Sequence, residues 1–491
     1  MITNDGTIIQ IKHEILCEVA KLVFAGKFQA EKDELPYRMM PGPKASYRCC
    51  VYKEREIVRQ RIRLAEGHNP QGARNDLVVQ VVHAACEDCP ISRYVVTDNC
   101  QKCMGKACQQ SCNFGAIDIG RTRAHIEPQK CRECGKCAAA CPYNAIADLI
   151  RPCRRSCPVG AISMDENGIC MIDEKKCIQC GRCIHSCPFG AISSKSCIVD
   201  VCQAIMDGKR VYAMMAPSAE GQFGTDITFE SWRNALKEVG FTDLVEVGLG
   251  GDMTAYAEAK EWTEAYSEGK KLTTSCCPGF VNMIRLHYPD LEEHISTTVS
   301  PMCAVSRWIK AKDPEAVTLF IGPCIAKKSE VLDQKIPGNA DYAMTFGEIR
   351  AVIRAKGVTI KEAEEVCQEA STFGKWFGNS GGVTAAVLES MKEQGVTDDV
   401  HVECCNGADA CKRALLMLKM GRFPGDFIEG MACEGGCVGG PSRHVDVAKF
   451  KRTRETMIKK ADSRNVRENL EKLPSVVVVI DELADLMLVA A

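Results

Sequence analysis

The sequence has 491 residues, of which 46% are apolar, 26% charged and 6% aromatic. This composition excludes a disordered tail and a small disulfide-stapled scaffold, and it predicts two to four domains. The net charge of -2 gives no reason to expect a nucleic acid or an acidic membrane surface as the main ligand. The 32 cysteines exceed what packing requires and indicate either a secreted disulfide scaffold or a metal protein of a reducing compartment.

The first 30 residues favour the metal protein. They carry scattered charges, no uninterrupted apolar core and no convincing cleavage site, unlike a secretory signal peptide. The sequence also has no run of about 18 apolar residues, which argues against a membrane span. We therefore expect a cytoplasmic protein, in which dense cysteine is typical of metal ligation or redox chemistry.

Residues 1–85 are predicted to form a helical N-terminal segment, because the stretch IVRQRIRLAEG has apolar residues at helical spacing. Cys17, Cys49 and Cys50 lack the spacing of metal ligands and are interpreted as packing thiols. Of the 32 cysteines, 22 lie at or before residue 202, which indicates a domain boundary near residue 205. The short, cysteine-punctuated stretch before that boundary predicts small domains held together by inorganic clusters.

A ligand run with the spacing Cys-x2-Cys-x2-Cys-x3-Cys-Pro occurs twice, starting at Cys131 and at Cys177. In ferredoxins the first three thiolates of such a run bind one 4Fe-4S cube, and the fourth binds the neighbouring cube. Cys100-x2-Cys103-x4-Cys108-x3-Cys112 repeats the arrangement with a longer second gap. The crossing rule predicts a ferredoxin-like domain over residues 86–150 with two clusters, held by Cys100, Cys103, Cys108 and Cys141 and by Cys131, Cys134, Cys137 and Cys112.

The second run has a degenerate partner, Cys153-x3-Cys157-Pro158, in which Ala147 and Ile150 stand at the first two ligand positions. Residues 151–205 are therefore predicted to be a second ferredoxin-like domain with one or two clusters. The third cluster would be held by Cys157, Cys177, Cys180 and Cys183. A fourth would need Cys153, Cys187 and two more thiolates, for which Cys86-x2-Cys89 is the best-spaced pair and Cys197 and Cys202 compete.

Zinc is the alternative occupant of these cysteines. It is disfavoured because zinc ribbons seldom repeat Cys-Pro endings with crossing halves. A row of iron-sulfur clusters makes no bonds in a substrate and instead conducts single electrons, so a site that uses them is expected further along the chain.

From about Arg210, strand-like runs such as RVYAMMAPS and AVTLFIGPCIAKK alternate with amphipathic stretches. This alternation predicts an α/β domain with parallel sheets over residues 206–462 and ligands at the carboxyl ends of its strands. Residues 463–491 include SVVVVIDELADLMLVAA, interpreted as a docking or oligomer-forming tail. The acidic end of that strand is similar to one in P-loop ATPases, but the chain has no G-x-x-x-x-G-K-S/T run, which disfavours nucleotide binding.

Three segments of this domain together resemble the active-site signatures of [FeFe]-hydrogenases. They are TSCCPGF at 274–280, GPCIAKKSE at 322–330 and MACEGGC at 431–437. The resemblance covers roughly residues 210–461 and implies a catalytic domain of two lobes, with ferredoxin-like domains on its N-terminal side. It also implies an H-cluster, in which a 4Fe-4S cube is joined to a diiron subsite that carries CO, cyanide and a dithiolate bridge.

The resemblance implies that the cube is held by Cys277, Cys324, Cys433 and Cys437, with Cys437 also bridging to the diiron subsite. Lys327 matches the lysine that hydrogen-bonds a cyanide, although a surface lysine is the alternative. Groups around the subsite are matched by Pro217, Ser218 and Met431. The spacing agrees with this, because Cys433-x3-Cys437 offers two thiolates from one turn and the glycines between them allow close backbone approach.

Cys276 matches the thiol that passes protons to the bridging amine of the subsite. The family's relay continues through carboxylates and a serine, for which rough alignment gives Glu258, Glu261 and Ser296. For the two glutamates, solvated charges on an amphipathic helix are an equal alternative.

The sequence departs from the family pattern at three positions: Gly322 replaces the usual methionine, Phe280 the usual tryptophan, and Ala257 one of the usual paired glutamates. A further thiol group, Cys404, Cys405 and Cys411, is not part of the common signatures and has either a packing or a redox role. These departures resemble the less-studied, often ferredoxin-linked group B branch of the family.

The predicted function is therefore reversible formation of H2 from two protons and two electrons in anaerobic hydrogen metabolism. The expected electron partner is a ferredoxin or a larger redox complex, and maturation proteins would supply the diiron subsite. Two rival classes remain: an iron-sulfur assembly factor that keeps the cube without the subsite, and an H2 sensor. Retention of Cys276, Lys327, Met431 and Ser218 argues against the first, and the absence of a visible sensory domain argues against the second.

Overall fold

The computed structural model of the chain describes residues 8–71, 77–86, 89, 92–365, 368–396, 399–462 and 465–472. Of the predicted tail, 463–491, only residues 465–472 are among them, so the docking role of its apolar end concerns residues outside the described ranges. Within those ranges no helix is both long and apolar enough to cross a membrane.

The helices, in chain order, are α1 (Ile8–Phe24), α2 (Phe28–Glu31), α3 (Leu35–Met39), α4 (Val51–Ala65), α5 (Ala107–Gln110), α6 (Lys136–Ala140), α7 (Pro152–Ser156), α8 (Arg182–Ser186), α9 (Ile198–Met206), α10 (Phe229–Val239), α11 (Val247–Ser267), α12 (Pro278–His287), α13 (Pro301–Lys312), α14 (Lys327–Glu330), α15 (Phe346–Ala355), α16 (Thr372–Trp376), α17 (Gly382–Glu393), α18 (Ala408–Lys419), α19 (Val447–Ile458) and α20 (Val466–Lys472). The strands are β1 (Val79–Val81), β2 (Tyr94–Val96), β3 (Ile117–Ile119), β4 (Ala124–Ile126), β5 (Ile146–Asp148), β6 (Ile162–Met164), β7 (Cys170–Ile172), β8 (Ile192–Ser194), β9 (Val211–Met215), β10 (Asp243–Glu246), β11 (Leu272–Thr273), β12 (Val317–Ile321), β13 (Tyr342–Met344), β14 (Val402–Asn406) and β15 (Phe427–Met431).

The N-terminal segment contains helices α1 to α4, as its sequence predicts, but strand β1 lies within the range predicted to be helical. In α1, Ile11, Ile15 and Val19 recur at helical spacing and are buried. This helix packs against α9 and α15, so the N-terminal segment shares a core with the region after residue 197. Cys17 is fully buried in that core, whereas Cys49 and Cys50 are exposed.

Short antiparallel strand pairs and one-turn helices build the cysteine-rich region, in agreement with small α+β ferredoxin-like units. β2 pairs with β5 and β3 with β4, while β6 pairs with β7. β8 pairs with β1, which precedes all the other strands in sequence. Helix α5 packs against α6 and helix α7 against α8. Because each unit has so little apolar core, its cysteines make up much of its interior.

Two parallel sheets form the centre of the region after residue 209, as the α/β prediction requires. One sheet has the strand order β10-β9-β12-β13 and the other β11-β15-β14, and every strand pair in both is parallel. Helix α11 packs on the second sheet, where Trp262 stacks on Phe427 with ring centroids 4.4 Å apart. The two sheets turn the carboxyl ends of β9, β11, β12 and β15 toward the segments that carry the predicted ligands.

Candidate active site and thiol cavities

Three cavities in the cysteine-rich region are each lined by four thiols. We call them the first, second and third thiol cavities. Their thiols are, in that order, Cys100, Cys103, Cys108 and Cys141; Cys112, Cys131, Cys134 and Cys137; and Cys157, Cys177, Cys180 and Cys183. Each set takes three cysteines from one run and the fourth from the paired run. The fold therefore brings together the three sets that the crossing rule predicts.

The backbone around these cavities repeats from one to the next. Lys102, Glu133 and Gln179, each the residue before the second cysteine of its run, all have positive φ, from 46° to 56°. Residues other than glycine rarely adopt this conformation, so its recurrence marks a shared constraint. Backbone N–H groups also donate to thiol sulfurs, as from Ala116 to Cys112 at 3.4 Å and from Ala161 to Cys157 at 3.2 Å. Such bonds stabilise thiolates and fit cluster ligation.

The remaining predicted ligands of this region do not all lie together. Cys86, Cys153 and Cys187 pack in one apolar cluster, which also contains Cys170, a thiol that the spacing of the runs does not single out. In contrast, Cys197 donates a hydrogen bond to the carbonyl of Ala343 at 3.5 Å. Cys202 is buried in the core shared by α1 and α9. The two competing thiols are thus removed from Cys153.

Four thiols of the α/β region converge from separate segments, three of them just after parallel strands. Cys277 caps the N-terminus of α12, Cys324 follows β12, Cys433 follows β15, and Cys437 begins a 3-10 turn, Cys437–Gly439. Burial and the charges of nearby thiols raise the pKa values of Cys324 and Cys433. The same two causes raise the pKa of Cys437 to about 11. Without a cation these thiols would stay protonated near neutral pH, so ligation by a metal cluster fits them.

The third thiol cavity adjoins this group. A Cβ atom at Gly279 would lie 3.3 Å from Ala432 Cβ and 3.8 Å from Cys180 Cβ. At Gly181 it would lie 2.6 Å from Ile325, the residue after Cys324. Close backbone packing therefore joins the ferredoxin-like unit to the catalytic thiols.

Glycine allows the MACEGGC segment to approach its neighbour. Gly436 has φ +85°, and a Cβ there would lie 2.6 Å from the backbone nitrogen of Ser380. The segment forms a bridge with Asn379, and Gly435 N–H donates to Asn406 Oδ1 at 2.6 Å. A side chain at 436 would push the 433–437 loop away and move the two thiols that it carries.

Lys327 is buried rather than on the surface. Its Nζ lies 2.6 Å from Glu330 Oε2, and Ser300 donates to the other oxygen of that carboxylate at 2.5 Å. Burial lowers the pKa of Lys327, but the charges of Glu330, Cys324 and Cys276 outweigh it and raise the pKa overall. The ammonium group therefore stays charged beside the catalytic thiols, where it could bind an anionic ligand.

Buried charged side chains hold the turn Pro217–Ala219 in place. Arg454 donates to the carbonyl of Pro217 and, at 2.7 Å, to that of Lys375. Lys375 itself pairs with Glu220 at 2.6 Å and Glu246 at 3.1 Å, all three side chains being at most 5% exposed. The turn holds Ser218, which is fully buried and whose Oγ has no hydrogen-bond partner among the described residues. An unsatisfied buried hydroxyl is costly and fits a bound group at this point.

Two of the predicted relay residues, Cys276 and Glu258, are buried together. Cys276 is 8% exposed and Glu258 is fully buried; among the described residues its oxygens have no well-formed hydrogen bond, although Ser296 lies close enough to stabilise the carboxylate. Burial raises the pKa of Glu258 well above its ordinary value, with the charges of Glu261 and Glu429 adding to the shift. Glu258 is therefore not a solvated helix charge.

Ser296 and Glu261 continue this group toward the surface. Ser296 Oγ donates to Glu261 Oε2 at 2.5 Å, and Thr297 N–H donates to the other oxygen at 2.8 Å. Ser296 and Thr297 also line an open cleft beside Ser275 and Ser300. The four residues Cys276, Glu258, Ser296 and Glu261 thus form a polar row from the buried thiols to a solvent-filled cleft.

Comparison with known families agrees with this arrangement. Residues 209–441 match the family described as "Iron only hydrogenase large subunit, C-terminal domain". Residues 123–146 and 171–193 each match a 4Fe-4S binding domain. The region 209–441, a little under half of the chain, belongs to the [FeFe]-hydrogenase family.

Relatives within and around this family are a little under 30% identical to the chain over the parts that align. Iron hydrogenase 1 of Clostridium pasteurianum is 29% identical over 71% of this chain and 70% of its own length. The periplasmic [Fe] hydrogenase large subunit of Nitratidesulfovibrio vulgaris is 28% identical over 51% and 73%. A cytosolic Fe-S cluster assembly factor of Candida dubliniensis is 27% identical over 25% and 23%.

Two departures from the [FeFe]-hydrogenase pattern are compensated by local packing. At Gly322 a Cβ would lie 2.9 Å from the ring of Phe320 and 3.0 Å from Ala216, so Phe320 uses part of the space of the usual methionine. Phe280 is fully buried, and a Cβ at Gly430 would lie 2.0 Å from its ring. The aromatic residue in TSCCPGF therefore depends on glycine in the neighbouring strand β15.

The additional thiols of this region divide into two environments. Cys405 and Cys411 are buried together under α18, while Cys404 is exposed. Thr384 Oγ1 lies 3.3 Å from Cys404 Sγ and donates to Glu429 Oε2 at 2.6 Å. Glu429 was missed from the sequence, although an acidic residue inside the buried strand FIEGM is a signal. It caps α17 through the N–H groups of Gly381 and Thr384.

Proposed function

We propose that the chain catalyses the reversible conversion of two protons and two electrons to H2 at an H-cluster. The observation that carries this is the convergence of four partly buried thiols beside both the third thiol cavity and the Cys276–Glu258 pair. Two of its relatives are hydrogenases by name, which supports the same activity. When bound, the H-cluster supplies the iron atoms at which protons and electrons combine.

The residues in this proposal divide by role. Cys277, Cys324, Cys433 and Cys437 would hold the cube, and Cys437 would also bind the diiron subsite. Lys327 holds an anionic cyanide ligand, and Ser218, Pro217 and Met431 surround the subsite and exclude water from it. The three thiol cavities hold 4Fe-4S clusters that bring electrons from the N-terminal side.

Cys276 exchanges protons at its Sγ in this proposal, and Glu258, Ser296 and Glu261 carry them to the cleft. A buried, unpaired carboxyl can take up or release a proton without breaking an ion pair, which suits Glu258 for the step next to the thiol. The hydrogen bond between Ser296 and Glu261 supplies the outer step.

Infrared spectroscopy tests the proposed function directly. After maturation with the diiron-assembly machinery, the protein should show bands of iron-bound CO and cyanide, because Lys327, Ser218 and the 433–437 loop are all in place to hold the subsite. A Cys437→Ala variant should lose these bands, because it removes the bridging thiolate. Matured wild-type protein without the bands would favour the alternative, an assembly factor that holds only the cube, which the Candida relative suggests.

The electron partner in this proposal is a small acidic ferredoxin that docks over the first thiol cavity. Met104 is 98% exposed, and it lies in the two-residue expansion of the Cys103–Cys108 gap. Lys102 and Lys106 flank it on the cavity lining, beside the half-exposed Tyr143. An exposed apolar residue flanked by two lysines is complementary to an acidic ferredoxin, whose own cluster would then lie close to the first thiol cavity.

Charge reversal at this surface should weaken the partner reaction alone. Lys102→Glu with Lys106→Glu should raise the KM for an acidic ferredoxin roughly tenfold at low salt, because rim charges mainly steer association. Methyl viologen needs no such docking, so its rate should not change. Lys175→Glu with Lys176→Glu makes the same charge change beside the third cavity and serves as the control. An equal loss in both double variants would contradict docking at the first cavity.

A further inference from the structure

The two ferredoxin-like units are built alike, although their first strands come from different places in the sequence. In the first unit, β2 pairs with β5, and Val96 faces Ile146, which is five residues after Cys141. In the second, β1 pairs with β8, and Val81 faces Ile192, which is five residues after Cys187. β1 therefore occupies in the second unit the place that β2 occupies in the first.

The hydrogen bonds just after these strands agree with the same superposition. Thr97 N–H donates to the carbonyl of Ala145 at 2.8 Å, and Val82 N–H donates to that of Ala191 at 2.7 Å. Ala145 and Ala191 are each the fourth residue after the last cysteine of their run. The register is thus equivalent up to the point where the first pair of cysteines follows each strand.

This equivalence identifies the missing half of the degenerate run. Cys100-x2-Cys103 begins four residues after the end of β2, and Cys86-x2-Cys89 begins five residues after the end of β1. Ala147 and Ile150, which stand where sequence spacing would put those ligands, belong instead to the first unit, where Ala147 pairs with Val95. The second unit thus contains residues 77–86, Cys89 and residues 151–194, and the first unit is inserted between Cys89 and Cys153.

The first thiol cavity therefore predicts an equivalent thiol site in the second unit. It is lined by the pair after β2, the third cysteine of that run and the last cysteine of the other run. The equivalent thiols are Cys86, Cys89, Cys153 and Cys187. Cys86, Cys153 and Cys187 pack in one cluster, and the charges of Cys153 and Cys187 act on both Cys86 and Cys89. Three of the four thiols thus pack together, and Cys89, three residues after Cys86, lies close enough for their charges to raise its pKa.

We propose that Cys86, Cys89, Cys153 and Cys187 hold a fourth N-terminal 4Fe-4S cluster. Cys170 is interpreted as a neighbour of this site rather than a ligand, because it has no counterpart in the first unit's set; its N–H donates to Cys86 Sγ at 3.3 Å. Its hydrogen bond tunes the ligand, as bonds to cluster sulfurs do.

This site lies between the second and third thiol cavities, where a cluster could pass electrons from one to the other. Arg154, the residue after Cys153, pairs at 2.7 Å with Glu133, which lies between Cys131 and Cys134 of the second cavity. On the other side, Cys157 and Cys183 of the third cavity pack in the same apolar cluster as Cys153. The role as an electron step depends on the proposed hydrogenase function, whereas the cluster itself does not.

Metal analysis of the full chain tests the site. Reconstituted anaerobically with iron and sulfide but without the diiron subsite, the wild type should hold about 20 irons, five cubes, and the Cys86→Ser, Cys89→Ser double variant about 16. Cys202→Ser, a buried thiol away from every cavity, should keep about 20. In low-temperature EPR spectra of the reduced proteins, only the double variant should lack the signal of one cluster and the magnetic couplings of that cluster to its neighbours.

Two outcomes would overturn the proposal. One is a wild type with about 16 irons whose double variant loses none. The other is a Cys170→Ala variant that loses a cube while Cys89→Ser keeps it, because Cys170 would then be a ligand in place of Cys89. A wild type with about 20 irons that never acquires CO bands after maturation would instead contradict the hydrogenase function and leave the fourth cluster standing.

Discussion

Replacing Cys276 with alanine should lower H2 turnover by at least about 100-fold, the usual scale of a lost proton-transfer group. Cys276 is buried beside the thiols proposed to hold the cube, and after burial the charge of Glu258 has the largest effect in raising its pKa. Alanine leaves no atom there that can carry a proton. The infrared bands of CO and cyanide should remain, because Cys276 is not a ligand in the proposed site.

A second buried thiol gives the matched control for this variant. Cys303 is fully buried in the same apolar cluster as Cys276, but it lies on α13 and has no place in the proposed relay. Cys303→Ala removes the same atom from the same core and should keep most of the turnover. Equal activity of Cys276→Ala and Cys303→Ala would refute the relay.

Replacing Glu258 with glutamine should separate activity from stability. The amide has the same shape but cannot exchange the proton, so turnover should fall by about 100-fold or more. The folded protein should meanwhile gain stability. Burial raises the pKa of Glu258 above its ordinary 4.5, so the native state binds the proton more tightly than the unfolded state. Native stability therefore falls as pH rises above 4.5, and glutamine removes this loss.

Thermal unfolding between pH 5 and pH 8 measures the second effect. The advantage of Glu258→Gln over the wild type should widen as the pH rises through this range. Glu264→Gln, an exposed position on the same helix α11, should change neither turnover nor this pH dependence. A Glu258→Gln variant that is active, or one destabilised at every pH, would show that this carboxylate has only a packing role.

Much of the site could be predicted from spacing because cysteine spacing is itself a geometric constraint. The crossing rule gave the three sets of thiols that line the cavities, and signatures such as TSCCPGF gave the convergent catalytic thiols. The parallel sheets followed from the alternation of strand-like and helical runs. In each case the information lies within a short stretch of chain or in a repeated pattern.

The features that could not be predicted from the sequence depend on contacts between residues that are far apart in the chain. Nothing near Val79 indicates that it will pair with Ser194, so β1 was included in a helical segment. Glu258 could be told from a surface charge only by its burial beneath neighbouring elements. Likewise, the ring of Phe320 occupies space next to Gly322 that a side chain at 322 would need, and nothing in the sequence indicates this contact.

The insertion of one ferredoxin-like unit into the other has a consequence for how this enzyme could change partners. Antiparallel pairing of β2 with β5 holds the two ends of the inserted unit side by side, and Arg93 and Asp148 close its base with two bonds of 2.8 Å. A lobe attached through one narrow neck can be exchanged for another without disturbing the rest of the chain. In the proposed hydrogenase the inserted unit would therefore serve as an adapter, and replacing residues 92–150 should change the electron source while leaving the H-cluster site in place.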